Sequence, residues 1–333
     1  MSGWALFAGS ALLIALAGPV LTRSADRIAT ALRLSRSWIG VALLSTATSL
    51  PELVTGFSAS GIVGDADLAV GDALGSTLFN LALIALLDLL SREDSLFRRV
   101  EQGHVLTAAL GVLLLAAAGA PLLLAHGPFH PRIGHVSLFS PVLLILYLAA
   151  IHAVFRHERP VALSREVSVA VEAPRRDIAR YLFAAVAVAS AGTMLPFAGE
   201  QIAGDMGWDR SFVGTVLLAA ATSLPELVVV IAALRANAVD LGVATLLGSN
   251  LFDIAVLSLD DVAYRPGSLF AAADTAHAGT VFAATMMSAI VIIAILNRPR
   301  YRVFGWLGWS SIALAGLYFG ATWLLLLVGA HNG

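Results

Sequence analysis

The sequence predicts an all-α polytopic membrane protein: ten transmembrane helices in two inverted five-helix repeats, with helices 2 and 7 broken at the midplane. Three observations carry that expectation. The 333 residues are 59% hydrophobic and 13% charged, whereas a soluble chain carries about 25% charge; mean hydropathy is +0.87. The segment Ala47-Thr-Ser-Leu-Pro-Glu-Leu-Val54 recurs letter for letter at Ala221 to Val228. A second segment, Leu74-Gly-Ser-Thr-Leu-Phe-Asn80, recurs as Leu247-Gly-Ser-Asn-Leu-Phe-Asp253, at nearly the same offset along the chain.

A span needs about 20 mostly apolar residues. The first such stretch, 3–22, is apolar from Trp4 to Leu21 and has no basic residue ahead of it, so it reads as a span and not as a signal peptide. The stretch Asp26 to Trp38 alternates Arg with apolar residues and is expected to lie along the inner membrane surface. Span 2, 38–62, holds the first copy of the proline motif, and span 3, 66–90, holds the second segment. Spans 4 and 5 are 105–125 and 136–155. The longest connection, Arg156 to Asp177, is charged and contains Pro160 and Pro174. It divides the chain into a first repeat, 1–155, a cytoplasmic linker, 156–177, and a second repeat, 178–333. Spans 6 to 10 follow at 178–199, 211–235, 239–259, 277–297 and 303–329, with the motif again in the second span of its half.

Arginine placement sets the orientation. Every basic residue is Arg, and 17 of the 20 fall in odd-numbered connections or at the span ends bordering them, so these connections are read as cytoplasmic; both termini are expected outside. The even-numbered connections hold only Arg132, Arg210 and Arg265. Five spans per repeat is an odd number, so the second copy must enter the membrane upside down. Inverted repeats whose broken helices meet near the midplane are a common transporter architecture.

The repeated motif brings hard oxygen donors to that depth. Proline removes a backbone donor and clashes with the carbonyl four residues back, here Ala47 and Ala221, so each helix must kink or break just ahead of Pro51 and Pro225. Carbonyls freed in this way need partners, and water or a cation can supply them. Thr48, Ser49, Thr222 and Ser223 add hydroxyls, and Glu52 and Glu226 add carboxylates. Ser76 with Asn80, and Ser249 with Asp253, are four apart and share a helix face. Oxygen ligands suit Ca²⁺ or Na⁺ and not a soft metal. Three buried carboxylates repel one another unless a cation or a proton sits among them. Gly75 and Gly248 would permit close helix approach.

Each feature alone has a plainer reading. A hydroxyl in a membrane helix usually bonds back to a carbonyl one turn earlier, and a proline is usually only a kink. An intramembrane Glu could pair with Arg, but no Arg falls at the depth of Glu52 or Glu226. The duplicated set together outweighs these readings.

Thr-Ser-Leu-Pro-Glu followed by Gly-Ser-(Asn/Thr)-Leu-Phe-(Asn/Asp), present twice, resembles the sodium/calcium exchanger family of the Ca²⁺/cation antiporter superfamily. The resemblance covers nearly the whole chain. It implies Glu52, Glu226, Asn80 and Asp253 as Ca²⁺ ligands. It implies Na⁺ sites built from Thr48, Ser49, Ser76, Thr222, Ser223 and Ser249, with the carbonyls of Ser45 and Ala219 as weaker candidates. Shared glutamates would make Na⁺ and Ca²⁺ occupancy mutually exclusive, which couples the two fluxes. Repeat 1 departs from the family at Thr77, where Asn is usual, and at Asp72, where Asn is common; repeat 2 has Thr245 in the latter place. Asp72 could be an accessory group that adds charge or carries a proton at the outer entrance. The favoured reading makes it a solvated residue near the outer end of span 3. Asp253 leaves K⁺ dependence open.

The implied function is Na⁺/Ca²⁺ antiport, with Ca²⁺/H⁺ antiport and K⁺-dependent exchange on the same scaffold as alternatives. A passive channel would assemble its pore from several subunits, and an enzyme would need a motif such as His-Glu-x-x-His, which is missing from the sequence. No cofactor is expected; the partners are the lipid bilayer and the transported ions. A net charge of −2 argues against nucleic acid, and no protein partner is required. A prokaryotic inner membrane is the expected location. His126, His130 and His135 are too irregularly spaced for Zn²⁺ and read as solvated. Asp260 and Asp261 read as outer residues that only attract cations.

Overall fold

The computed structural model describes residues 3–31, 45–91, 95–125, 127, 131–162, 175–299, 302–303 and 307–332. Eight of the described helices are long and apolar enough to cross a membrane: α1 (Gly3–Ala31), α4 (Ala66–Leu90), α6 (His104–Leu124), α7 (Phe139–Ala162), α8 (Arg175–Met206), α12 (Val239–Ala263), α14 (Ala276–Asn297) and α15 (Trp309–Asn332). Predicted span 7 is a bent pair. Its first limb comprises α9 (Arg210–Phe212), a π-helical stretch Val213–Leu218 and α10 (Ala219–Thr222); α11 (Leu224–Arg235) leaves it at 47°. The described part of predicted span 2 comprises α2 (Ser45–Thr48), α3 (Leu50–Ser58) and a π-helical end at Ala59–Val63. Residues 38–44 lie outside the described residues.

Burial sorts these helices into centre and rim. The apolar window of α12 is 89% buried and that of α4 72%, against 28% for α1 and for α15. The two central helices pack on each other, and they are the two that carry the repeated Gly-Ser segments. Gly75 explains part of that closeness. A methyl group there would stand 2.3 Å from the Thr215 carbonyl oxygen, so only glycine lets α4 meet the π-helical limb. On one flank α1 lies along α8, with α3 against α8 and α11 against α1; on the other, α6 packs on α14 and α7 on α12.

The ends of the helices are tied by buried acids that repeat from one half to the other. Asp88 accepts the Leu96 N–H at 2.8 Å and the Ser95 hydroxyl at 3.0 Å, opening α5 (Leu96–Arg99). Asp261 accepts the Leu269 N–H at 2.7 Å, opening α13 (Leu269–Ala272). Both belong to a repeated Asp-x₆-Ser-Leu-Phe pattern, offset as Leu74 is from Leu247. Ser311 donates to Asp88, and Ser140 to Asp261, so each acid also holds the helix that follows a small hairpin. One hairpin pairs β1 (Arg132–Ile133) antiparallel with β2 (Val136–Ser137); the other pairs β3 (Arg302–Val303) with β4 (Leu307–Gly308).

A second matched set joins the two halves. His104 Nε2 lies 2.9 Å from Asp240 Oδ1, which also accepts the Glu101 N–H. His277 Nε2 lies 3.2 Å from Asp67 Oδ1, which also accepts the Asp274 N–H. Each member sits at the repeat offset from its counterpart, His104 matching His277 and Asp67 matching Asp240. The two ties stand at opposite ends of α4 and α12.

Two expectations are corrected here. The first helix does not stop at residue 22 but runs to Ala31, so 26–31 is not a separate surface segment. Its added turns have a partner: Arg27 reaches Asp177 on α8 at 3.2 Å. Residues 32–38 lie outside the described residues. Asp260 and Asp261 do not face solvent; both are fully buried.

Candidate cation site

The breaks fall at serine, one residue earlier than the leucine–proline pair. Ser49 has φ −89° and ψ 15°, and Ser223 has φ −84° and ψ 11°. Each new helix starts on the following Leu, with Pro in its first turn, where a missing N–H leaves no bond unmade. The carbonyls of Ser49 and Ser223 then accept the N–H groups of Leu53 and Leu227 at 3.1 and 3.2 Å. Glu52 and Glu226 are therefore held in a first helical turn, where the exposed amide dipoles favour negative charge.

The two motifs meet through crossed hydroxyl contacts. Ser223 Oγ donates to Glu52 Oε1 at 3.1 Å, and Ser49 Oγ donates to Glu226 Oε1 at 3.4 Å. Thr48 and Ser249 hydroxyls lie 3.4 Å apart, and those of Thr222 and Ser76 lie 3.3 Å apart. In each of these pairs a residue of one half touches the other half, and each contact has its counterpart. Other bonds differ between the halves: Ser249 Oγ to Glu226 Oε1 at 3.2 Å, Thr77 Oγ1 to Asp253 Oδ2 at 3.0 Å, and Thr222 Oγ1 to Asp72 Oδ1 at 3.0 Å. The Thr222 proton serves one acceptor at a time, because the carbonyls of Leu218 and Ala219 stand at 3.1 and 3.2 Å from the same oxygen.

The set is dry. Thr48, Ser49, Glu52, Asp72, Ser76, Asn80, Thr222, Ser223, Glu226, Ser249 and Asp253 are each at most 1% exposed. Among the described residues, one oxygen of each acid, Glu52 Oε2, Glu226 Oε2, Asp72 Oδ2 and Asp253 Oδ1, has no hydrogen-bond partner, and neither has Asn80 Oδ1. Unpaired buried oxygens of this kind are costly. A hard cation would give them the partners that they lack. Among the described residues no three His, Cys, Asp or Glu side chains stand together as a metal site; hydroxyls join the carboxylates instead.

Asp72 is corrected from a solvated residue to a fully buried one, because its position one turn from Ser76 places it against Thr222. Thr77, a departure from the family pattern, is the hydroxyl partner of Asp253. The Ala219 carbonyl is not free: besides Thr222 it accepts the Ser223 N–H at 3.1 Å. Ser45 opens α2 at the edge of the described residues. His135 bonds the Val262 carbonyl at 3.0 Å; His126 and His130 lie outside the described residues. Reading the sequence missed the His–Asp ties and the capping acids, although one common offset relates His104 to His277, Asp67 to Asp240 and Asp88 to Asp261.

Comparison with known proteins places this geometry in context. The family model described as "Sodium/calcium exchanger protein" matches residues 2–156 and 178–327. The inner membrane protein YrbG of Escherichia coli is 29% identical over 236 residues, 69% of this chain and 70% of its own. The putative antiporter CaxA of Alkalimonas amylolytica is 30% identical over 268 residues, 79% of this chain and 81% of its own. A structure of the sodium–calcium exchanger NCX_Mj superposes with a TM-score of 0.63 at 21% identity, covering 96% of this chain and 97% of that one. The H⁺/Ca²⁺ exchanger CAX superposes with a TM-score of 0.69 at 14% identity, covering 99% and 87%.

Proposed function

The chain belongs to the sodium/calcium exchanger protein family, and from that premise we propose that it is a secondary antiporter exchanging Na⁺ for Ca²⁺ by alternating access. The crossed bonds Ser223 to Glu52 and Ser49 to Glu226 are the observation that carries the reading. They make one site from both halves, so an ion bound there is felt by both. In this reading Glu52, Glu226, Asn80 and Asp253 hold Ca²⁺. Thr48, Ser49, Ser76, Thr222, Ser223 and Ser249 supply Na⁺ with hydroxyls, and the carbonyls of Ser45 and Ala219 contribute less. Two glutamates serving both ions prevent joint occupancy, and downhill Na⁺ entry then drives Ca²⁺ out.

The proposal includes ten spans: the eight long helices, the bent pair and the helix Leu50–Val63 with the residues before it. It includes five-span halves at 1–155 and 178–333, mutually inverted, with 156–177 as a cytoplasmic linker. Both termini lie outside a prokaryotic inner membrane. The matched cross-half contacts support that symmetry, and the similarity to an inner membrane protein supports that location.

The test is ⁴⁵Ca²⁺ uptake into proteoliposomes preloaded with Na⁺, beside vesicles carrying only a pH gradient. Uptake that requires internal Na⁺ and vanishes in Glu52→Gln and Glu226→Gln is the expected result. The buried carboxylate of Asp72, bonded to Thr222, favours a second reading, Ca²⁺/H⁺ exchange on the same scaffold. Uptake driven by the pH gradient alone, and lost in Asp72→Asn, would select it. A requirement for K⁺ in both arms would select K⁺-dependent exchange.

A further inference from the structure

The two ends of the central site are not alike. Asp72 and Asp260 are fully buried acids, and neither position is acidic in the other half: Thr245 stands where Asp72 would repeat, and Leu87 where Asp260 would. The difference is structural as well as chemical. Asp260 lies against Gly56, one turn beyond Glu52, where a methyl group would meet its carboxylate oxygens at 2.4 and 2.8 Å. At the opposite end the Leu87 side chain lies against Gly242, beside Val230, the residue matching Gly56. Thr245 there only bonds back to the Leu241 carbonyl at 2.9 Å.

Asp260 has an acceptor surplus that nothing among the described residues meets. Both of its oxygens lack a hydrogen-bond partner, as do Asp72 Oδ2 and the Thr215 hydroxyl. α4 and α12 pack antiparallel, with Thr77 against Asp253 and Leu87 against Gly242, so Asp72 and Asp260 both lie beyond the Thr77–Asp253 contact toward the same end. Two buried carboxylates without a basic partner are costly unless a cation or a proton accompanies them. Gly56 and Gly61 of the α3 limb meet Asp260 and Ala263 of α12 in turn, advancing from Glu52 toward the end that carries the Arg210–Asp65 ion pair.

We propose that Asp260, with Asp72, forms a second binding site for a small hard metal cation, set between the central site and this one end of the molecule only. An ion would pause there on its way to or from Glu52 and Glu226. The opposite end, with Leu87 and Thr245, offers no equivalent stop among the described residues. The inference rests on the antiport reading only for its role in transport; the site itself rests on the unpartnered carboxylates.

The experiment keeps the two apart. The purified full-length protein, freed of metal ions in an organic-cation buffer, is melted during separate titrations of Na⁺, K⁺ and Ca²⁺. Glu52→Gln, which disables the central site, still gains melting temperature with at least one ion. Adding Asp260→Asn, or Asp260→Leu in imitation of Leu87, removes that gain while the folded protein persists. A gain that survives in both double variants overturns the proposal, as does a gain that follows pH and none of the three ions. In oriented vesicles, Asp260→Asn raises the half-saturating ion concentration about tenfold at the end carrying Arg210 and leaves the other face unchanged. An equal rise at both faces overturns the one-sided placement. Failure of the wild type to transport any ion would remove the antiport reading and leave the melting result to judge this site.

Discussion

At the scale of the residue, the central chemistry depends on which atom each hydroxyl serves. Ser223 and Ser49 hold matching positions, but their bonds to glutamate differ, at 3.1 and 3.4 Å. A hydrogen bond to a charged group contributes about 1.5–3 kcal/mol. Ser223→Ala is therefore expected to weaken equilibrium ⁴⁵Ca²⁺ binding about tenfold or more, and Ser49→Ala less, because Ser249 also donates to Glu226. Equal losses would mean that the two glutamates are held alike when an ion is bound. The motif acids and hydroxyls are legible in the sequence because a carboxylate beside proline in an apolar span is expensive and is present twice. Asp260 and Asp72 are misread for the opposite reason. Each lies toward a helix end, where sequence alone suggests water, and only the packing against Gly56 and Thr222 shows that they are buried.

Helices add constraints that no single side chain contains. Gly18 on α1 and Gly192 on α8 are separated as Pro51 is from Pro225, and each faces the proline motif of the opposite half. A methyl group at Gly18 would stand 2.5 Å from the Pro225 ring, whereas one at Gly192 would stand 3.1 Å from Thr55 Oγ1 and 3.3 Å from the Pro51 carbonyl. Gly18→Ala should therefore lower the melting temperature and slow ion uptake clearly more than Gly192→Ala, since a proline ring cannot yield as a hydroxyl can. Thermal melts of the two variants side by side check this, and an equal loss would show that α1 shifts freely. Element positions are largely legible: the apolar stretch 66–90 has the same bounds as α4. The first helix is cut short in the sequence reading because Arg23 and Arg27 look like its end. The carboxylate that receives Arg27, Asp177, lies 150 residues away, beyond any local pattern.

For the molecule as a whole, the halves are joined by the site and by the two His–Asp ties. His277 is completely buried, and the His104 side chain is 9% exposed. His277→Ala leaves a larger dry cavity and takes a partner from Asp67, so it should lower the melting temperature more than His104→Ala; large-to-small changes in a core cost about 2–5 kcal/mol. The proposed orientation has its own check, helped by the absence of cysteine. A cysteine introduced at Arg132 should react with an impermeant maleimide on intact cells, and one at Arg235 only after the membrane is opened. Labelling of both on intact cells would overturn the alternation read from arginine. That alternation is read by counting charge along the chain, and the odd span count by counting apolar stretches. Which half touches which is not, because Asp67 and His277 are 210 residues apart.

The crossed contacts at the breaks have a consequence for how the protein is made. While a ribosome has delivered the first half alone, Glu52 lacks Ser223 and Asp72 lacks Thr222, and two acids wait in the bilayer without the groups that later surround them. The early intermediate must keep these acids wet or protonated, and the late half must reach them before quality control does. Co-expression of residues 1–162 and 175–333 as separate polypeptides should then rescue both, while either fragment alone is degraded. With the two repeats proposed above, neither half can finish assembly before the other has been translated.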